Sequence, residues 1–290
     1  MNAVAEAIAV AGLDVTGLRA LSRHSTDIYL LPREQIIARV TGTDRFQRQR
    51  TALTMTRWLV DRGVAVTEPT TVDIPITTAR HVVTFWRYYP QPGIERPPAQ
   101  HLGILLRQLH QTDVVDAPIE LPTYQPLERL GPALTNSRTL SQEDRIWLRE
   151  RRAELLDAYA RFTSHLGVGL IHGDAYPANT LWDTATGSVR LGDWDEVAVG
   201  PRELDLANTL HGGRRFGRRR DECVAFLNAY GYDPAHAWRS LELLIDIRDL
   251  HSLGTFIRRS DRGDHNAARQ LDHRIATLRT NATTPWTAAH

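Results

Sequence analysis

The stretch Leu170-Ile171-His172-Gly173-Asp174-Ala175-Tyr176-Pro177-Ala178-Asn179-Thr180-Leu181-Trp182, followed by Asp193-Trp194-Asp195, decides how the rest of the chain is read. Two short apolar runs, Thr180–Trp182 and Val189–Leu191, flank the turn-forming segment Asp183–Gly187 and predict a β-hairpin. Three oxygen-bearing side chains stand on or beside it. Phosphoryl transfer needs a carboxylate at the attacking hydroxyl and hard oxygen ligands that hold magnesium against the β- and γ-phosphates. Asp174 precedes Asn179 by five residues, so a tight loop can turn a base toward an acceptor hydroxyl while the Asn179 amide oxygen faces a metal. Asp193 ends the returning strand beside Asn179 and can reach the same ion from the other side. Any one of these residues next to glycine and proline is an ordinary turn former. Three of the right type, order and spacing inside an apolar hairpin are hard to produce as loop decoration.

Outward from the hairpin, the chain divides at Tyr89-Pro90-Gln91-Pro92-Gly93 and Pro97-Pro98, which continue neither a strand nor a helix. Before this point, β-type runs at Asp27–Leu31, Gln35–Val40, Pro69–Ile74 and His81–Trp86 surround one helical run, Phe46–Asp61, closed by Gly63. After it, apolar spacing is helical at Ala99–Gln111, Gln142–Thr163, Arg202–Leu210, Asp221–Tyr230, Ala237–Arg258 and His265–Leu278. The expectation is a small lobe over residues 1–88 and a mainly helical lobe over residues 89–290, with a loose tail after Arg279.

The order His172-Gly173-Asp174, Asn179, Asp193-Trp194-Asp195 resembles the aminoglycoside phosphotransferase and choline kinase superfamily, relatives of protein kinases. Leu102–His110 (LGILLRQLH) and Gly200-Pro201-Arg202-Glu203-Leu204-Asp205 are also similar to that superfamily, so the likeness runs from about Leu21 to Leu250. The resemblance implies an α+β, two-lobed protein-kinase-like fold. It further implies Asp174 as catalytic base, Asn179 and Asp193 as Mg2+ ligands, and His172 and Asp205 as structural supports. Asp195 is read as a support for these ligands.

On the nucleotide side, Leu21–Tyr29 occupies the position of the hairpin that covers the phosphates. It has no glycine, and Ser25 and Thr26 are its candidate phosphate donors, against the alternative of an ordinary turn. Arg39, in Ile36-Ile37-Ala38-Arg39-Val40, stands where the resemblance calls for a phosphate-gripping lysine; a guanidinium is permanently charged and can hold two phosphate oxygens. The helix Phe46–Asp61 has no acid in its interior to pair with that cation, which leaves Gln49 or Asp44 as replacements. Val83–Tyr88 is the expected hinge, with Trp86 and Tyr88 at the nucleotide base. The donor is ATP, with GTP left open.

Composition bounds the partners. The 290 residues carry a net charge of +1, a balance that argues against nucleic acid and anionic membrane. The basic run Arg214–Arg220 reads as a solvated helix start rather than a nucleic-acid patch. All 35 basic residues are arginine, so every role usually taken by lysine falls to arginine. The lone Cys223 excludes an internal disulfide and reads as a small buried hydrophobe. No basic leader precedes Glu6, and no apolar run reaches membrane-spanning length, so a soluble cytoplasmic protein is expected.

These features predict a kinase acting on a hydroxyl of a small molecule. The alternatives are a catalytically silent nucleotide sensor, suggested by the glycine-free loop and the missing helix acid, and a kinase of proteins or protein-linked sugars. The helices Ala237–Arg258 and His265–Leu278 are expected to wall the acceptor site. Their acids and arginines nearly cancel, which favours a neutral or singly charged acceptor over a polycation.

Overall fold

In the computed structural model, residues 3–23, 26–91, 93 and 95–287 are described. Helix α1 (Ala3–Val10) precedes strands β1 (Arg19–Arg23), β2 (Asp27–Leu31) and β3 (Ile36–Gly42), then helix α2 (Phe46–Asp61) and strands β4 (Ile76–Thr77) and β5 (His81–Arg87). The strands form an antiparallel sheet of order β1-β2-β3-β5-β4. Side chains alternate across a strand. In β3 that alternation turns Ala38 and Val40 into a cluster with Ile8, Leu31 and Phe85, and leaves Arg39 on the opposite face.

The expected strand at Pro69–Ile74 does not form. Only Ile76–Thr77 pairs regularly, while Pro69 makes a single bridge to Trp86. Proline has no N–H for a ladder, and the Arg57 guanidinium takes the Thr70 and Val72 carbonyls at 2.5 and 2.8 Å.

The second part holds α3 (Ala99–His110), α4 (Leu130–Asn136), α5 (Gln142–Ala160), β6 (Val168–Ile171), β7 (Thr180–Asp183), β8 (Ser188–Leu191) and β9 (Ala198–Pro201). It continues with α6 (Glu203–Arg215), α7 (Arg220–Tyr230), α8 (Pro234–Ser240), α9 (Glu242–Ser260) and α10 (His265–Arg279). Strands β7 and β8 form the expected hairpin, and β6 pairs with β9. Helices α3 and α7 cross closely at Gly103, where a Cβ would stand 2.3 Å from the Phe226 carbonyl oxygen. Only glycine permits that approach. Side-chain caps start two helices: Ser141 accepts from the Asp144 N–H and Asp264 from the Ala267 N–H, each at 3.0 Å.

Three expectations change. The run Ala237–Arg258 is two helices, broken at Leu241, whose backbone (φ −99, ψ 0) lies between α8 and α9. The tail is not loose: Trp286 is buried against the guanidinium groups of Arg215 and Arg274, 4.5 and 4.6 Å from its ring centroid, and its backbone N–H donates to the Arg215 carbonyl at 2.6 Å. The basic run is not wholly solvated, because Arg215 is buried and pairs with Asp249 at 2.7 Å, while Arg214 pairs with Asp246. A buried cation requires such a partner. Cys223 is buried as expected.

Candidate active site

Strand β6 delivers the chain to His172, and a reversal at Gly173 starts the loop. Gly173 has φ +80, and a Cβ there would lie 2.2 Å from the Glu196 carbonyl oxygen. The loop backbone is held from below by Asp205, in the first turn of α6 and fully buried. Its carboxylate accepts the His172 and Gly173 N–H groups at 2.7 and 2.9 Å. His110 of α3 meets the same carboxylate at 3.1 Å through Nε2, while its Nδ1 meets the Tyr230 hydroxyl at 2.9 Å. The buried His172 ring contacts the Gly192 carbonyl at 2.9 Å through Nε2 and packs edge-on against Trp194. The Asp205 carboxylate and the His110 and His172 rings beneath the loop thus all have partners, as buried polar groups require.

Asp174 projects from this base. The Asn179 Nδ2 donates to the Asp174 carbonyl at 2.9 Å, and the Asn179 carbonyl accepts from the Gly192 N–H at 2.8 Å, which joins the loop to the end of β8. With its amide nitrogen so engaged, Asn179 keeps its amide oxygen without a protein donor among the described residues. The next residue, Asp193, has φ +64, a left-handed conformation that non-glycine residues adopt sparingly. From there its half-exposed carboxylate meets Arg39, which donates to Asp193 at 2.6 Å and to Asp195 at 3.2 Å. Burial pulls the Arg39 guanidinium down, but the charges of Asp195 and Asp193 outweigh it and hold Arg39 above the usual arginine value.

Arg39 thus takes its acids from the segment after β8. Neither replacement considered supplies them: Gln49 is buried and meets Thr84 at 3.3 Å, and Asp44, just before α2, makes no ion pair with Arg39, whose partners are Asp193 and Asp195. Thr26 is half-buried at the β1–β2 turn, and Ser25 lies outside the described residues. Trp86 is buried in β5 with its indole N–H on Thr84 at 2.9 Å, and the Tyr88 N–H donates to the Gln35 carbonyl at 2.9 Å.

Several residues here carry no motif and escape a reading of the sequence. Arg248 of α9 donates to the Asp174 carboxylate. Burial alone would lower it, but Asp174 holds it above the ordinary arginine value. Glu196, directly after Asp195, is gripped by Arg48 at 2.6 Å and Arg129 at 2.9 Å; burial pushes its carboxyl up against the pull of Arg48. Glu196, Arg48 and Arg129, together with Tyr124, Asp195 and His251, line a cavity of about 630 Å³ between α2, α9 and the segment after Asp193. Only the adjacency of Glu196 to Asp195 could have hinted at this wall.

An antiparallel sheet with one helix, set against a helical part that presents a short catalytic-type loop, defines the kinase-like α+β class. The chain belongs to the phosphotransferase enzyme family, whose model matches residues 32–244. A 61-residue stretch is 41% identical to viomycin phosphotransferase of Streptomyces vinaceus, spanning 20% of this chain and 20% of that relative's length. Among solved structures, the amicoumacin kinase hAmiN in complex with AMP-PNP, Ca2+ and Ami superposes with a TM-score of 0.71 at 15% identity, over 93% of this chain and 90% of that one. A choline/ethanolamine kinase family protein from Mesorhizobium loti gives 0.69 at 18% identity, over 95% and 92%. The aminoglycoside phosphotransferase APH(3'')-Id from Streptomyces rimosus gives 0.63 at 15%, over 86% and 97%. At these identities the likeness concerns the fold. No helix among the described residues is long and apolar enough to cross a membrane.

Proposed function

We propose that this protein is a cytoplasmic ATP- and Mg2+-dependent kinase that phosphorylates a hydroxyl of a small, neutral or singly charged molecule. In this reading residues 1–88 hold the nucleotide, and residues 89–290 carry the catalytic loop and the acceptor site. The observation that carries it is the meeting of two distant segments: Arg39 of the sheet lies 2.6 Å from Asp193, beside the loop that links Asn179 to Asp174. The sensor alternative rested on the glycine-free loop and the missing helix acid; the second is answered by the two acids that Arg39 takes from another segment.

The donor set fits magnesium. The Asn179 amide oxygen and the Asp193 carboxylate are hard oxygens, and no group of three or more His, Cys, Asp or Glu that could hold a metal occurs among the described residues. Mg2+ commonly takes one or two protein oxygens and completes its shell with phosphate and water. When bound it would neutralise charge on the phosphates. The chain's own residues do the rest. Asp174 orients the acceptor hydroxyl and takes its proton. Arg39 draws the phosphate oxygens through charge-assisted hydrogen bonds, exchanging its hold on Asp193 and Asp195 for them. Thr26 of the β1–β2 turn, with Ser25, donates to the same phosphates, and the β5 end at Trp86 and Tyr88 abuts the nucleotide base. His172, Asp195 and Asp205 hold the loop in position. A near-neutral acceptor suits the cavity wall, where Glu196 is already matched by Arg48 and Arg129.

The test is nucleoside diphosphate release by the purified protein across a panel of hydroxylated metabolites and antibiotics, with Asp174→Asn alongside. The proposal expects acceptor-dependent, Mg2+-dependent release that falls by about 10² to 10⁴ in Asp174→Asn. Wild-type rates in that variant, or release confined to polycationic acceptors, would overturn the corresponding part.

A further inference from the structure

Around Asp174 there is more hydrogen-bonding capacity than holding ATP and a hydroxyl requires. Arg248 gives one N–H to Asp174 through Nη2, and its Nε and Nη1 groups have no protein acceptor among the described residues. The hydroxyls of Tyr124 and Tyr176 likewise have no protein hydrogen-bond partner there. Burial, with the Asp174 charge adding to it, raises both phenols, Tyr176 to about 12, so each remains an O–H donor at any working pH. The second carboxylate oxygen of Asp174 accepts from no described protein group and stays open to a hydroxyl. The donors thus surround the base without closing it.

The half-buried charges beside Asp174 and on the neighbouring cavity wall are rich in arginine. Among the part-buried groups, Arg48, Arg129 and Arg248 meet two carboxylates, Glu196 and Asp174, and a third, the exposed Glu128, reaches Arg48 at 4.0 Å. Asp195 is occupied by Arg39, and the remaining wall acids, Glu120 and Glu128, are exposed. An acceptor ammonium here would stand against a guanidinium. An uncharged polyol would leave the spare N–H groups of a half-buried arginine without an anionic partner. A carboxylate satisfies them, since a guanidinium presents planar N–H groups matched to two oxygens.

We propose that Arg248, flanked by Tyr124 and Tyr176, forms a carboxylate subsite, and that the acceptor is a hydroxy acid whose hydroxyl lies at Asp174 and whose carboxylate lies on Arg248. The assignment rests on the kinase reading for the role of Asp174, and it makes Arg248 a specificity-determining residue.

The experiment compares matched ligands by calorimetric titration of the full chain: glycerate with glycerol, threonate with threitol, gluconate with sorbitol. Ionic strength is held constant, and titrations run both with AMP-PNP and Mg2+ and without them. The expected result is that at least one acid binds more tightly than its polyol by about tenfold or more, the scale of a charge-assisted hydrogen bond. Arg248→Gln should reduce that ratio to within about threefold, while Tyr124→Phe and Tyr176→Phe weaken the acid and leave the polyol unchanged. The tyrosine variants remove one oxygen each and keep the test decisive should Arg248→Gln fail to fold. Polyols binding as tightly as acids, acids that do not bind, or a preference that survives Arg248→Gln or both tyrosine variants would overturn the subsite. Failure of AMP-PNP to bind would instead sink the kinase reading, and the nucleotide-free titrations would still decide the subsite.

Discussion

Arg39 and Asp193 are 154 residues apart in sequence and 2.6 Å apart in the fold. This pair, extended to Asp195, ties the sheet to the segment that follows the catalytic-type hairpin. A cation shared between two carboxylates is held in one orientation.

Replacing Arg39 by alanine should therefore raise the nucleotide KM by about 10- to 100-fold, the worth of a charge-assisted hydrogen bond. Arg39→Lys should recover part of the loss, since it restores charge without the planar fork. Nucleotide titrations of the two variants check this, and an alanine variant with unchanged affinity would reduce Arg39 to a strand residue.

Asp205 is the shared acceptor under the loop. Asp205→Ala strips the partners from two buried N–H groups and from His110. Each buried group left unpaired costs about 1–3 kcal/mol, so urea unfolding should show a loss of several kcal/mol. A loss within experimental error would mean that water replaces the carboxylate there.

Gly173 allows no side chain. Gly173→Ala would combine the left-handed backbone with a contact of 2.2 Å to the Glu196 carbonyl, and strain of this kind costs about 1–3 kcal/mol. Because the next residue is Asp174, turnover should fall by more than stability alone explains. Comparison of kcat with unfolding free energy for the variant separates the two effects.

His251 should make the protein sensitive to acid. Burial, then the charges of Arg248 and Arg258, lower its pKa to about 3, against an ordinary value of 6.5. The unfolded chain binds the proton more readily than the folded one, so stability is full above pH 6.5 and declines as pH falls below it. The slope is about 1.4 kcal/mol per pH unit for one such group. His211, lowered in the same direction by burial, adds to it. Urea unfolding between pH 7 and pH 5 should show a shallower decline in His251→Gln than in the parent; equal slopes would refute the assignment.

Trp286 anchors the tail. Trp286→Ala removes a buried ring and its contacts with Arg215 and Arg274, and changes of this size cost about 3–5 kcal/mol. Chemical unfolding measures it, and a loss under about 1 kcal/mol would mean the tail merely rests on the surface.

The hairpin, most helices and the order of the loop residues were legible in the sequence because they depend on local signals: period, turn residues and spacing. What was not legible depends on distant chain. The partners of Arg39 come from beyond β8, where a search along α2 could not find them. Arg248 sits among alternating charges of a helix, and nothing local distinguishes it from Arg258 or Arg259. The burial of Arg215 and Trp286 is mutual: each reads as surface until the other is placed against it. The strand expected at Pro69–Ile74 failed for the opposite reason, since β-forming residues there were overruled by prolines and by Arg57.

The guanidinium of Arg39, which the proposed function places on the phosphates, has a consequence for chemical probing. A chain without lysine has no side-chain amine, so acylating and sulfonylating reagents that report on a nucleotide-site lysine in other kinases would find no such target in this cleft. Dicarbonyl reagents, which condense with guanidinium groups, address it instead. Protection of Arg39 by nucleotide, read by peptide mass, would give a footprint of the site that needs no knowledge of the acceptor.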